Sequence, residues 1–209
     1  MPDLSEGAEV TRGAKLATRT AVLARRRRLT DAQRADAARL VQAGLVALVR
    51  RLRPRRMTAY LPVATEPGGP DLPVALHAAL PVGAELLLPV LRADLDLDWA
   101  PWTGPDDLVA SGRGMREPTW PPLGKSAVAA ADLVVLPAVA VDRRGVRLGR
   151  GGGSYDRALA RVPATTLTVV PLHEGELVDV LPREPHDRPV RAVITPAEGL
   201  RRLDGVAPG

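Results

Sequence analysis

Short apolar runs alternate with stretches of helical spacing along most of this chain, and that alternation constrains its fold more than any other feature. Residues 85–89, 132–136, 166–170 and 190–195 are each too brief for a buried helix and read as strands. Residues 55–62 read as a first strand, and 95–102 as another with Leu97 and Trp99 on one face. Helical composition fills Leu72–Ala79 and residues 154–162. From about Arg12 to Arg28 the residues are strong helix formers, with Leu16, Thr20, Leu23 and Arg27 at helical spacing. Thr30 is placed to cap a second helix running to about Leu52, with Leu40, Leu45 and Leu48 facing inward. Strands separated by helices predict a three-layer α/β/α architecture with a mostly parallel sheet. A single domain is expected over residues 11–203, between disordered tails at 1–10 and 204–209. Residues 103–127, rich in Gly and Pro, are expected to hold little regular structure.

Composition narrows the chemistry. Cysteine is absent, which removes disulfides, thiol nucleophiles and cysteine-bound metals together. Aromatics are only 2% with no Phe, so the core must be built from Leu, Val and Ala. No apolar run approaches the roughly 20 residues a membrane span needs. The acidic, polar start has no apolar core of a secretory signal, so a cytoplasmic setting is expected. Three scattered histidines are too few for a zinc site, and no Ser/His/Asp triad can be assembled. His77 and His173 are taken as structural or exposed.

The net charge of +5 is unevenly placed: residues 1–56 hold 14 Arg and Lys against 5 Asp and Glu. Such asymmetry suits nucleic acid, or a few cations aimed at a small polyanion. The Arg run at 25–28 reads as a solvated or capping feature. Arg supplies all but two of the basic residues, so Lys15 and Lys125 stand out.

The segment Arg147-Leu148-Gly149-Arg150-Gly151-Gly152-Gly153-Ser154-Tyr155-Asp156 is the most informative stretch. Its glycines let backbone amides approach an anion without an intervening Cβ. It then enters a helix, whose start favours phosphate, and Arg147 and Arg150 add forked donors. It lacks the Gly-Lys-Ser/Thr of a Walker A loop, and Ser154 occupies the last glycine of a dinucleotide fingerprint. Asp156 suits a cation that phosphates also ligate.

This segment resembles the Gly-Arg-Gly-x-Gly-Tyr-Tyr-Asp signature of the 5-formyltetrahydrofolate cyclo-ligase family, and other elements agree in order. Lys15-Leu16-Ala17-Thr18-Arg19 resembles an early Lys-x-x-x-Arg, and Tyr60-Leu61-Pro62 with Glu66 a strand-and-glutamate element. Gly114-Met115-Arg116-Glu117-Pro118 resembles Gly-Ile-x-Glu-Pro. Leu136-Pro137 through Gly145 resembles the lead-in to the glycine loop, and His186-Asp187 with Val193-Ile194-Thr195 the C-terminal part.

The resemblance implies a Rossmann-like fold (NagB/RpiA/CoA-transferase-like) and ATP-dependent closure of 5-formyltetrahydrofolate to its 5,10-methenyl form, with ATP as co-substrate and Mg2+ as cofactor. It implies that Lys15, Arg19 and the run Arg147, Leu148, Gly149, Arg150, Gly151, Gly152, Gly153, Ser154 and Tyr155 bind ATP. Leu61, Glu66, Arg150, Gly151, Gly152, Gly153 and Ser154 would contact the folate. Asp156 and Asp187 would ligate magnesium, and Lys15, Arg150 and Asp156 would carry catalysis. A monomer acting on small molecules is expected, without nucleic-acid or membrane partners. Three family positions differ on the folate side: Ser154 replaces a tyrosine, Arg113 an aromatic, and Glu66-Pro67-Gly68-Gly69 a Glu-Ile-x-Thr run. Trp99, Trp102 and Trp120 are the candidates to compensate. The alternatives are an ATP-dependent enzyme with another acceptor and a basic nucleic-acid-binding module.

Overall fold

The computed structural model describes residues 4–112, 115–184 and 187–203. Helices α1 (Leu4–Arg28) and α2 (Asp31–Leu52) precede strand β1 (Arg56–Thr58) and helix α3 (Leu72–Ala79). Strands β2 (Glu85–Leu91), β3 (Leu97–Pro101), β4 (Leu108–Ser111) and β5 (Met115–Pro118) follow. Then come β6 (Leu133–Val135), β7 (Ala140–Asp142), β8 (Arg147–Leu148) and the short helix α4 (Ser154–Leu159). The last strands are β9 (Leu167–Pro171), β10 (Leu177–Val178), β11 (Ala192–Thr195) and β12 (Gly199–Arg202).

Seven strands form one sheet in the order β12-β11-β9-β6-β1-β2-β3, parallel except at its two edges. Both faces are buried, and the period of two along each strand sorts side chains between them. Leu86, Leu88, Leu133, Val135 and Ile194 pack toward α2 and α3. Leu87, Val134, Val170 and Val193 pack into the opposite cluster with Ala158 and Leu159 of α4. That second layer is thin, because α4 ends at Leu159 rather than Val162 and a 3-10 turn at Lys125–Ala130 completes it. A three-stranded sheet, β10-β7-β8, packs Val139, Ala140, Val146 and Leu148 against Val22 of α1. No helix of the described residues is long and apolar enough to cross a membrane.

Helix α2 starts where the sequence says it should. Thr30 Oγ1 accepts from Gln33 N at 3.2 Å, and Gln33 Oε1 accepts from Thr30 N at 2.9 Å, a reciprocal capping box. Its inner face is rotated from the expected one: Val41 is buried with Leu45, Leu48 and Val49, whereas Leu40 is 43% exposed.

Other expectations are corrected. Residues 4–10 belong to α1 and are not a tail; residues 1–3 and 204–209 lie outside the described residues. Leu16 is 60% exposed, because α1 packs through a mixed polar face rather than an apolar stripe. The Arg run is not a solvated feature throughout, since Arg26 is 1% exposed and ion-paired with Glu176. Residues 103–127 contain the β4–β5 hairpin, held to the main sheet where Leu91 N donates to Glu117 Oε1 at 2.9 Å.

Candidate active site

A cleft of about 780 Å³ opens beyond the carboxyl ends of β1, β2 and β6, where parallel α/β sheets bind ligands. It is lined by Lys15, Arg19, Leu61, Glu66, every residue from Arg147 to Asp156, and Asp187. The sequence-predicted positions therefore meet in one place, although more than 170 residues separate Lys15 from Asp187. His186, Arg113 and Gly114 lie outside the described residues.

One wall is ionic. Lys15 and Arg19, one helical turn apart on α1, face the cleft together. Lys15 Nζ lies 2.7 Å from both Glu184 Oε2 and Asp187 Oδ2. Burial would lower the Lys15 pKa, but the hydrogen bonds to Asp187 and Glu184 outweigh it and the net direction is upward. Arg19 Nε donates to Gly149 O at 2.9 Å, which docks α1 on the glycine loop.

The loop has a buried foundation. Arg147 Nη2 is 2.7 Å from Asp156 Oδ1, and its guanidinium carbon sits 5.9 Å from the centre of the Tyr155 ring. A Cβ on residue 149 would stand 2.8 Å from Arg147 Nη1, so any larger residue there would displace the Arg147 guanidinium. Gly153 takes φ +66 at the entry to α4, a conformation that side chains with a Cβ resist. Arg147 Nε is buried without a hydrogen-bond partner among the described residues. Arg150, by contrast, is exposed at the mouth and reaches across to Glu66 Oε1 at 3.0 Å. Glu66 Oε2 accepts from Val63 N at 3.0 Å, which fixes the carboxylate.

The facing wall is apolar. Leu88, Pro89 and Leu91 from the end of β2 line it with Leu95 and Leu97. Tyr60 and Tyr155 are the aromatics that line the cleft. Burial, then the nearby Glu66 charge, raises the pKa of both phenols, so both stay neutral at physiological pH. The tryptophans do not take the place of the absent tyrosine at Ser154. Trp99 and Trp102 are buried in the two cores, and Trp120 is half exposed away from the cleft lining. His77 packs edge-on against Trp102 at 5.4 Å, and His173 Nε2 lies 3.1 Å from Thr65 O; neither lines the cleft.

Sequence reasoning missed Glu184, the second partner of Lys15, whose only cue was its place three residues before Asp187. It also missed the apolar wall, which is indistinguishable in sequence from the strand cores that continue into it.

These features define a Rossmann-like α/β protein with its candidate site at the carboxyl edge of a mostly parallel sheet. Residues 11–196 match the model of the 5-formyltetrahydrofolate cyclo-ligase family. The chain is 40% identical over 190 residues to a 5-formyltetrahydrofolate cyclo-ligase of Mycolicibacterium smegmatis, covering 88% of this chain and 95% of that protein. An NMR structure of the Aquifex aeolicus 5,10-methenyltetrahydrofolate synthetase superposes with a TM-score of 0.72 at 27% identity, over 91% of this chain and 93% of that one. The Mycoplasma pneumoniae 5,10-methenyltetrahydrofolate synthetase shares the fold, with a TM-score of 0.68 at 17% identity, over 87% of this chain and 98% of that one. The chain belongs to the 5-formyltetrahydrofolate cyclo-ligase family, a family of enzymes.

Proposed function

We propose that this enzyme uses ATP to convert 5-formyltetrahydrofolate to 5,10-methenyltetrahydrofolate, releasing ADP and phosphate. The observation that carries the reading is the meeting of Lys15, Arg19, the glycine loop, Asp156 and Asp187 around one cleft that also has an apolar wall. A formyl amide is a poor electrophile. Transfer of the γ-phosphoryl group to its oxygen makes that oxygen a leaving group, N10 attacks the formyl carbon, and the oxygen departs with phosphate.

The chain's residues have work suited to their places. Lys15 and Arg19 meet the triphosphate, and the amides of residues 149–153 follow its oxygens. Arg150 stands between the two substrates, where it can leave Glu66 and neutralise charge on the transferred group. Leu61 and Glu66 flank the pterin, with the Glu66 carboxylate accepting from its ring N–H groups. The buried Nε of Arg147 has no acceptor among the described residues; left unmet such a donor costs about 1–3 kcal/mol, which a ligand or water oxygen would relieve.

Magnesium fits the donor set. Asp156 uses one oxygen on Arg147, and its other takes no bond from the described residues. Among the described residues no three His, Cys, Asp or Glu gather to hold a metal alone. Two carboxylates completed by phosphate oxygens are the usual magnesium arrangement, so Asp156 and Asp187 would hold the ion. When bound, it supplies neutralising charge to the phosphates.

Purified protein incubated with 5-formyltetrahydrofolate, ATP and magnesium is expected to form the methenyl product, seen by its own absorbance. No product across pH and folate polyglutamate forms would refute the reading. Stabilisation by magnesium–ATP without any response to folates would instead favour another acceptor, which the Ser154 position makes the second reading. The basic-module alternative loses ground, because Lys15 and Arg19 line the cleft and Arg26 is buried against Glu176, so none of the three belongs to an open basic face.

A further inference from the structure

Helix α1 carries both cations of the proposed triphosphate site, and what holds it in place is unusual. Lys15, Arg19, Val22 and Arg26 are spaced four, three and four residues apart, so they form one stripe along the helix. Only Val22 is apolar. The deepest member is Arg26, 1% exposed, against Glu176, 2% exposed. Arg26 Nε lies 2.7 Å from Glu176 Oε1, and Nη2 lies 2.8 Å from Oε2, a forked pair. The same Nη2 donates to Ala138 O at 2.7 Å, on the segment that enters the small sheet beneath the glycine loop. Glu176 Oε2 also accepts from His173 N at 2.9 Å, and Arg25 Nη2 donates to Gly175 O at 2.6 Å.

This buried pair is therefore fixed on both sides. The guanidinium is planar and its donors have fixed directions, so the fork sets rotation and axial position of the helix together, which an apolar contact cannot do. Arg19 lies two helical turns earlier on the same stripe, and Lys15 three. A rotation or slide at Arg26 would carry both away from Gly149 O and from Asp187.

We propose that Arg26, through Glu176, is a positioning residue that sets the register of α1 and so delivers Lys15 and Arg19 to the cleft. Their role toward the triphosphate rests on the proposed function; their placement does not.

The chain has only two lysines, which gives a readout independent of activity. Lys15 is enclosed by Glu184 and Asp187, whereas Lys125 sits in an exposed pair with Asp94. Acylation of Lys15 relative to Lys125, followed by mass spectrometry, reports whether Lys15 stays in place. The test variant combines Arg26→Met with Glu176→Leu, since replacing a buried pair by apolar residues of similar volume often leaves stability intact. Glu176→Gln is the second variant, which keeps the shape and removes the charge.

The double variant should keep its Tm within about 4 °C. Its Lys15:Lys125 labelling ratio should rise at least about five-fold, as local opening at α1 becomes easier. The magnesium–ATP KM should rise about ten-fold, while the KM for 5-formyltetrahydrofolate moves less than about two-fold. Glu176→Gln should shift the same two quantities in the same direction by less. A folded variant with an unchanged labelling ratio would overturn the proposal, as would equal KM changes for both substrates. A wild-type protein that binds no nucleotide would refute the functional reading and leave the labelling test of placement standing.

Discussion

The two walls of the cleft are held in place by different physics. The ionic wall is made of α1 and the glycine loop, joined by Lys15 to Glu184 and Asp187, Arg19 to Gly149 O, and Arg26 to Glu176. The apolar wall is the carboxyl end of β2, where it runs past β1 and stays paired with β3, and its Leu88 belongs to the same packed core that buries Met57 and Leu133. Charge meets the apolar wall at its rim and from behind: Arg116 and Glu117 line the cleft beside it, with Glu117 Oε1 accepting from Leu91 N, while Lys125 and Arg161 hold Asp94 and Asp96, and Arg157 joins Leu95 O to Gly152 O. A wall built by packing is formed once the sheet is formed. A wall built from directional charge pairs can be emptied at the cleft, at Lys15 or Arg19, one side chain at a time with the fold intact, whereas its buried Arg26–Glu176 anchor cannot.

That contrast can be broken most severely from the ionic side. Lys15→Ala and Asp156→Asn are each expected to lower turnover by about 10²–10³-fold or more while circular dichroism and Tm show a retained fold. Wild-type rates in either variant would remove the assigned roles. Arg26→Ala alone should cost about 3–5 kcal/mol in denaturant unfolding, because it leaves the Glu176 carboxylate buried without its partner. A loss under about 1 kcal/mol would show that water reaches the pair.

The apolar wall should answer in the opposite pattern. Leu88→Ala is expected to lose about 2–5 kcal/mol of stability through the cavity it leaves. Steady-state kinetics on the folded fraction should show a several-fold rise in KM for the folate and little change for the nucleotide. Equal effects on both substrates would merge the two walls into one.

The smallest expected effect concerns acid. Arg161, followed by the backbone N–H of Leu97 and other nearby groups, draws the Asp96 pKa down to about 2 despite burial. A depressed carboxylate pKa stabilises the fold above the unfolded value of about 3.9 and loses that contribution as pH falls through about 2. Asp96→Asn should flatten the acid limb of the stability profile in that window and leave its neutral part parallel to the wild type. An unchanged slope between pH about 4 and 2 would place the titration elsewhere.

How much was legible in the sequence follows the same division. Helix α3 has its expected bounds, and α2 its expected start, because the Thr30–Gln33 box is a local signal. Strand β2 and the central strands are legible as apolar runs. The strands β7, β8, β10 and β12 are two to four residues long and exist through pairing, which no local pattern announces. Leu40 and Val41 are adjacent apolar residues, and the packing of α2 against α3, β11 and β12 chooses between them. In the site, the glycine loop and the Lys15–Arg19 spacing were visible as chemistry. Glu184 and the Arg26–Glu176 pair were not, since their meaning comes from contacts between residues 150 or more positions apart. The arginine run looked like one feature and is several: Arg26 is buried, whereas Arg25 bonds Gly175 O from an exposed position.

The most direct test of the ionic wall is a crystal structure of the enzyme with a non-hydrolysable ATP analogue, magnesium and 5-formyltetrahydrofolate. The triphosphate is expected on Lys15, Arg19 and the amides of residues 149–153, with the cation between Asp156 and Asp187 and the pterin along Leu61 and Leu88. A triphosphate bound outside that cleft, with Lys15 still closed on Glu184 and Asp187, would contradict it.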